Sequence, residues 1–202
     1  MNKGLLIIVS GPSGAGKGTV LKEVFDEIES LRYSVSVTTR KPREGEKEGE
    51  SYFFKSLEEF EDMIERDEFL EYQPVFGNYY GTPKEYVERL RTAGYDVVLE
   101  IDVKGAMSVK ERVSDAVLIF LTPESKEILR SRLINRKTES AAELEKRVGE
   151  SIRELETVEK YEYVVVNDTI ERCADDIIAI INAEKRKVGR NAEFINRLLE
   201  RR

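Results

Sequence analysis

A strand-length apolar run that opens directly into a glycine-rich loop constrains this chain more than any other feature. LLIIVS (residues 5–10) leads into GPSGAGKGTV (11–20) and then TVLKEVFDEIESL (19–31). Val20, Leu21, Val24, Phe25 and Ile28 fall at the spacing of one helix face. The unbroken apolar run reads as a strand buried on both faces of a parallel sheet. Strand, loop and helix in this order are the context that a phosphate-binding loop needs. The spacing G-x-x-x-x-G-K is met by Gly11, Gly16 and Lys17, with Gly14 between them. Such glycines let successive backbone N–H groups turn toward phosphate oxygens, and the following helix adds its positive end. Lys17 supplies a compact charge for the outer phosphates. A plain strand-to-helix turn would not require this lysine.

Gly18 stands where many such loops carry Ser or Thr, and Thr19 offers a hydroxyl one residue later. Mg²⁺ gives up water reluctantly and is often held chiefly by substrate phosphates and water. The missing hydroxyl is therefore compatible with a Mg²⁺-dependent site, in which Thr19 is the metal-side candidate, acting mostly through water and phosphates.

Further strands are expected at YDVVLEID (95–102), AVLIFLT (116–122) and EYVVVND (162–168), with helical patterns between and after them. Strands alternating with helices predict a three-layer α/β fold around a parallel sheet. Two regions break the rhythm. Residues 34–82 are rich in Tyr, Phe, Gly and short alternating runs, with one helix at SLEEFEDMIERD, and read as a small mixed-β insertion. Residues 124–160 are helical, strongly charged and mostly polar. The core then consists of 1–33, 83–123 and 161–202.

Composition removes several alternatives. The chain has 202 residues, enough for one sizeable core, and 40% are hydrophobic. Its net charge of −7 argues against broad nucleic-acid binding. No apolar run approaches the roughly 20 residues that cross a bilayer, and the N-terminal run leads into a loop rather than a cleavage site. The lone cysteine, Cys173 in ERCADDII, reads as structural and fits a reducing cytoplasm. Histidine is absent, so any chemistry here proceeds without an imidazole base or ligand.

GAGKGT resembles the loop of adenylate kinases, where Gly follows the Lys and Thr comes next, which narrows the reading to nucleoside monophosphate kinases. SVSVTTRKPREGEKEGESYFF, FLEYQPVFGNYYGTP and VVLEIDVKGA together resemble guanylate kinases, and the likeness runs from Leu5 to about Asp168. TTRKPREGE paired with GNYYGT is far more specific than the loop alone. The resemblance implies a P-loop NTPase-type fold with a GMP-binding insertion and a helical lid. It implies ATP contacts along Gly11, Pro12, Ser13, Gly14, Ala15, Gly16, Lys17, Gly18 and Thr19, with Asn167 at the adenine edge. It assigns carboxylates Glu71 and Asp102 and hydroxyls Ser36 and Thr82 to guanine, and Arg40, Arg43, Tyr52 and Tyr80 to the monophosphate of GMP. The residue chemistry agrees: guanine presents two adjacent donors and a carbonyl, and Arg forks suit phosphate. The resemblance also implies lid arginines Arg132, Arg136 and Arg147 on the ATP phosphates. Lys137 in RKTES stands where the family usually has Gly, which implies a stiffer lid turn.

The reaction so implied is ATP plus GMP (or dGMP) giving ADP plus GDP, with Mg²⁺. Its nucleophile is a phosphate oxygen whose second pKa lies near 6 by analogy with phosphoryl monoesters. That oxygen is ionised at neutral pH, so no general base is required. Lys17, Arg43, Arg132, Arg136 and Arg147 are the cations expected to act on the migrating group. Two rivals are weighed. A non-catalytic binding module of the same fold is disfavoured by the intact loop, and a kinase for AMP or a pyrimidine nucleotide by the two carboxylates. Small-molecule partners are expected, ATP and GMP, with neither nucleic acid nor membrane. The oligomeric state is left open.

Overall fold

The computed structural model describes residues 3–75, 77–134 and 141–200. The chain starts with β1 (Leu6–Ser10), buried at every position, then the glycine loop and α1 (Lys17–Glu27). Next comes β2 (Leu31–Tyr33), followed by β3 (Val37–Thr38), β4 (Phe53–Phe54), α2 (Leu57–Glu65), β5 (Phe69–Val75) and β6 (Asn78–Pro83). The remainder alternates: α3 (Lys84–Thr92), β7 (Asp96–Glu100), α4 (Val103–Arg112) and β8 (Val117–Thr122). After these come α5 (Lys126–Ile134), α6 (Ala141–Leu155), β9 (Tyr163–Val166), α7 (Ile170–Arg186) and α8 (Ala192–Leu198).

Five strands form an all-parallel sheet in the order β2-β7-β1-β8-β9. Alternate residues of β1 feed opposite faces, as period-two geometry requires. Ile7 and Val9 join Val20, Leu21 and Val24 of α1 and Ala174, Ile177 and Ile181 of α7. Leu6 and Ile8 join Val87 of α3 and Ala106 and Val109 of α4. Helices on both faces of one parallel sheet make the expected three layers. Cys173 sits fully buried in the first of these cores, where burial pushes its thiol up to about 12. A thiol with that environment is inert packing. Among the described residues, no helix is long and apolar enough to cross a membrane.

The sequence pattern suggested a helix through residue 31 and a sheet of four strands; the structure differs at both points. α1 stops at Glu27, Ile28 is extended, and Leu31 starts an edge strand paired with β7. Leu31 keeps the apolar phase of the helix, yet it is buried in the sheet core instead. A three-residue strand is too short to show a period of its own.

A second, mixed sheet, β4-β3-β6-β5, occupies the insertion. β3 runs parallel to β4 and antiparallel to β6, which pairs antiparallel with β5. Phe60 of α2 stacks on Phe69 with ring centroids 4.5 Å apart, which gives this sheet its own small core with Val37. α2 begins at a reciprocal cap in which Ser56 and Glu59 each bond the other's backbone N–H. The helical 124–160 region resolves into α5 and α6, packed through Leu129, Leu133 and Val148.

Candidate active site

The carboxyl ends of the central strands converge on the glycine loop, the usual ligand crevice of an open α/β sheet. Gly16, the N-cap of α1, has φ 92°, and a Cβ there would fall 2.4 Å from Asn167 Nδ2. Only glycine allows this left-handed turn beneath the Asn167 amide. No side chain caps α1, so its first N–H groups remain oriented toward the loop. Lys17 folds across the loop, its Nζ donating to the Gly11 carbonyl at 2.7 Å and the Pro12 carbonyl at 3.3 Å.

Two cavities flank the loop. The first, of about 530 Å³, is lined by Gly14, Gly16, Thr19, Arg132, Asn167 and Thr169 among others. Asn167 is nearly buried and donates to the Ala15 carbonyl at 2.7 Å. Thr19 thus opens on the Asn167 side of the loop. Gly18 faces the other way: a Cβ added there would sit 3.6 Å from both carboxylate oxygens of Glu100. Glu100 also accepts from the Tyr33 hydroxyl at 3.2 Å, and burial together with Glu100 pushes that phenol well above its ordinary range.

The second cavity, of about 260 Å³, lies between the two sheets and brings together Ser36, Tyr52, Glu71, Tyr80 and Asp102. Glu71 is 8% exposed and accepts from the Thr82 hydroxyl at 2.6 Å. Thr82 is therefore engaged in orienting Glu71. Burial pushes the Glu71 carboxyl up to about 7, with nearby Asp102 adding to the rise and the Thr82 hydrogen bond opposing it. Asp102 caps α4 by accepting from Gly105 N–H at 2.7 Å. A Cβ at Gly105 would lie 3.0 Å from Glu71 Oε2 and 3.3 Å from Asp102 Oδ1. The glycine lets both carboxylates approach the start of α4.

At the far end of this cavity the Tyr52 and Tyr80 rings meet edge to face, with centroids 5.8 Å apart. Arg40 lies over the Tyr52 ring, donates from Nε to the Tyr80 hydroxyl at 3.2 Å, and pairs with Glu46 at 2.8 Å. Glu46 also accepts from the Arg43 backbone N–H at 2.8 Å, while the Arg43 residue is exposed. The hydrogen bond to Glu46 holds the Arg40 guanidinium firmly protonated.

Arginines of α5 and α6 reach the loop across more than a hundred residues of chain. Arg132 donates to the carbonyls of Ala15 at 3.3 Å and Asn167 at 3.2 Å, and Arg147 donates to Ser13 Oγ at 2.9 Å. Arg136 and Lys137 lie outside the described residues. Three participants carried no sequence signal. Glu46 sits inside what reads as a charged turn. Tyr33 ends an edge strand too short to show a pattern. Glu154 of α6 accepts from Ser13 N–H at 3.3 Å. Burial raises the Glu154 carboxyl above its usual range, and the Lys17 ammonium pulls it the other way.

Comparisons with known proteins agree with this geometry. The sequence model of one family, guanylate kinase, matches residues 3–184. The chain is 51% identical over 198 residues to a guanylate kinase of Caldanaerobacter subterraneus subsp. tengcongensis, a match covering 98% of this chain and 96% of that protein. It is 50% identical over 195 residues to one of Clostridium tetani, covering 96% and 93%. The crystal structure of guanylate kinase from Anaplasma phagocytophilum superimposes with a TM-score of 0.74 at 36% identity, covering 94% of this chain and 90% of that one. With about half its residues shared along nearly its whole length, the chain belongs to the guanylate kinase family, enzymes that phosphorylate GMP with ATP.

Proposed function

We propose that the second cavity holds GMP or dGMP, that the glycine loop holds ATP, and that the cations around the loop carry the phosphoryl group between them. Residues 34–82 act as the acceptor domain, 124–160 as the lid, and 1–33, 83–123 and 161–202 as the core. The observation that carries this reading is the Glu71–Asp102 carboxylate pair. Guanine's ring N–H and exocyclic amine are adjacent donors, and two carboxylates in a partly desolvated cavity match them. Thr82 holds Glu71 in orientation, and Ser36 lines the same cavity. Arg40, Arg43, Tyr52 and Tyr80 take the acceptor phosphate.

The acceptor oxygen is already ionised, so these residues need only align two anions and neutralise the charge that migrates. Lys17 reaches from its loop carbonyls to the outer phosphates of ATP. Arg132, Arg136 and Arg147 close from the lid side, and Asn167 faces the adenine edge. For Mg²⁺ the donor set is sparse but suitable: Glu100 faces Gly18, Thr19 opens beside the loop, and among the described residues no cluster of three or more metal-ligating side chains occurs. This fits an ion held chiefly by phosphates and water, whose waters Thr19 would reach if the ion sits on the Asn167 side of the loop and Glu100 if it sits on the Gly18 side. Bound there, Mg²⁺ neutralises the ATP phosphates. The buried lone thiol is consistent with a cytoplasmic setting.

The test is ADP release across GMP, dGMP, AMP, UMP and CMP. GMP and dGMP are expected to be used well and the others at less than about a hundredth of that efficiency, the discrimination expected when buried polar groups lose their partners. Chelation with EDTA should stop turnover and added Mg²⁺ restore it. Comparable use of AMP would remove the guanine assignment, and full activity in EDTA the metal. Arg132→Ala is expected to lower kcat by roughly 10²–10³-fold with little change in the GMP KM. A change confined to KM would make Arg132 a binding residue only.

A further inference from the structure

β5 presents two faces. Leu70 packs into the core and Tyr72 approaches Phe60 and Phe69, whereas Glu71, Gln73 and Val75 all line the second cavity. Alternation along a strand places residues two apart on one face, about 6.6 Å from each other. In the ladder, Glu71 stands opposite Thr82 and Gln73 opposite Tyr80. Gln73 therefore lies one step from the carboxylate that faces the base, and directly across from the tyrosine that meets Arg40. It is the only glutamine in the chain. Its amide carries two donors and one acceptor, and it has no hydrogen-bond partner among the described residues. A nucleotide filling this cavity strips water from that amide, and an amide left unpaired beneath it would weaken binding.

We propose that Gln73 is a specificity residue for the acceptor, its amide donating to an oxygen of the sugar–phosphate portion of the purine monophosphate. This rests on the reading of the second cavity as the GMP site. Base and phosphate are then held at the two ends of the cavity, by Glu71 and Asp102 on one side and Arg40 and the tyrosines on the other. Gln73 fixes the segment between them and so the distance from the base to the attacking oxygen. An amide suits this position because it donates without adding charge. A carboxylate there would repel the phosphate dianion.

GMP binding to the full chain, measured by calorimetric titration without ATP, tests this alongside steady-state KM values for GMP, dGMP and ATP. Gln73→Ala is expected to raise the GMP dissociation constant roughly tenfold, the worth of one good hydrogen bond, with the ATP KM and the melting temperature unchanged. Gln73→Glu, which keeps a long polar side chain on the strand, is expected to weaken GMP binding further. A loss seen with GMP but not dGMP assigns the contact to the 2′-oxygen; equal loss assigns it to the oxygens both share. Wild-type GMP affinity in Gln73→Ala, with Glu71→Ala strongly impaired, would overturn the role of Gln73 and leave the cavity assignment standing. Wild-type affinity in both variants would overturn the two together.

Discussion

Lys17→Ala is expected to fold normally and to lose at least roughly 10³-fold in turnover, the scale seen when a charge stabilising a phosphoryl transition state is removed. The side chain lies half-buried against the loop and donates to the loop carbonyls of Gly11 and Pro12. The apolar packing of α1 comes instead from Val20, Leu21 and Val24. Circular dichroism and the melting temperature should therefore match the parent. The chemical step should not, because in the proposed site the ammonium is the compact cation that the loop would bring to the outer phosphates. Lys17→Arg should recover only a small part of the rate, since a planar fork does not fit the space filled by a point charge. Turnover of Lys17→Ala within tenfold of the parent would refute the mechanism.

Glu71→Ala is expected to raise the GMP KM by roughly 100-fold while the ATP KM changes less than about twofold. One hydrogen bond to an ionised group, worth about 1.5–3 kcal/mol, supports that size. Equal effects on both substrates would show that the cavity is not the acceptor site. The same carboxyl sets a pH dependence. In the free protein it is raised from 4.5 to about 7, so below neutrality the neutral acid predominates and presents an O–H toward donors. Efficiency with GMP should fall as pH drops below about 7, and GMP binding near neutrality should release a proton.

Stability moves in the opposite direction. A carboxyl whose folded pKa exceeds its unfolded one favours the fold at low pH, and that contribution is lost as pH rises from about 4.5 to about 7, about 3 kcal/mol in all. Glu71→Gln should accordingly raise the melting temperature of the ligand-free protein by roughly 5 °C or more at pH 8 and far less at pH 5. Equal shifts at both pH values would show that ionisation of Glu71 is not what costs stability.

How much of this was readable beforehand differs from one element to another. β1, β7 and β8 contain continuous apolar runs buried on both faces, which leaves no alternating pattern in them, whereas β9 is an edge strand with Val164 and Val166 exposed, legible only as a short valine run. β2 was not readable: Leu31 continues the phase of α1, and only its pairing with β7 makes it a strand. Glu46, buried in a charged turn by sequence, is tied to Arg40 because residues 40–46 double back. The hydrogen bond of Thr82 to Glu71 depends on the register of β5 against β6. That of Ser13 to Glu154 spans 141 residues.

What the residue order determined alone was whatever depends on neighbours in the chain: the loop with its glycines and lysine, the buried strands, and the absence of an imidazole, so that any chemistry proceeds without an imidazole base. What only the tertiary structure decided was which charges meet. The Glu71 carboxyl is raised to about 7 because the fold buries it, with Asp102 at the N-cap of α4 adding to the rise, and Arg132 reaches Ala15 because α5 packs over the loop through Leu129 and Leu133. Desolvation and Coulomb interaction depend on distance through space, and residue order specifies that distance only once the chain has folded.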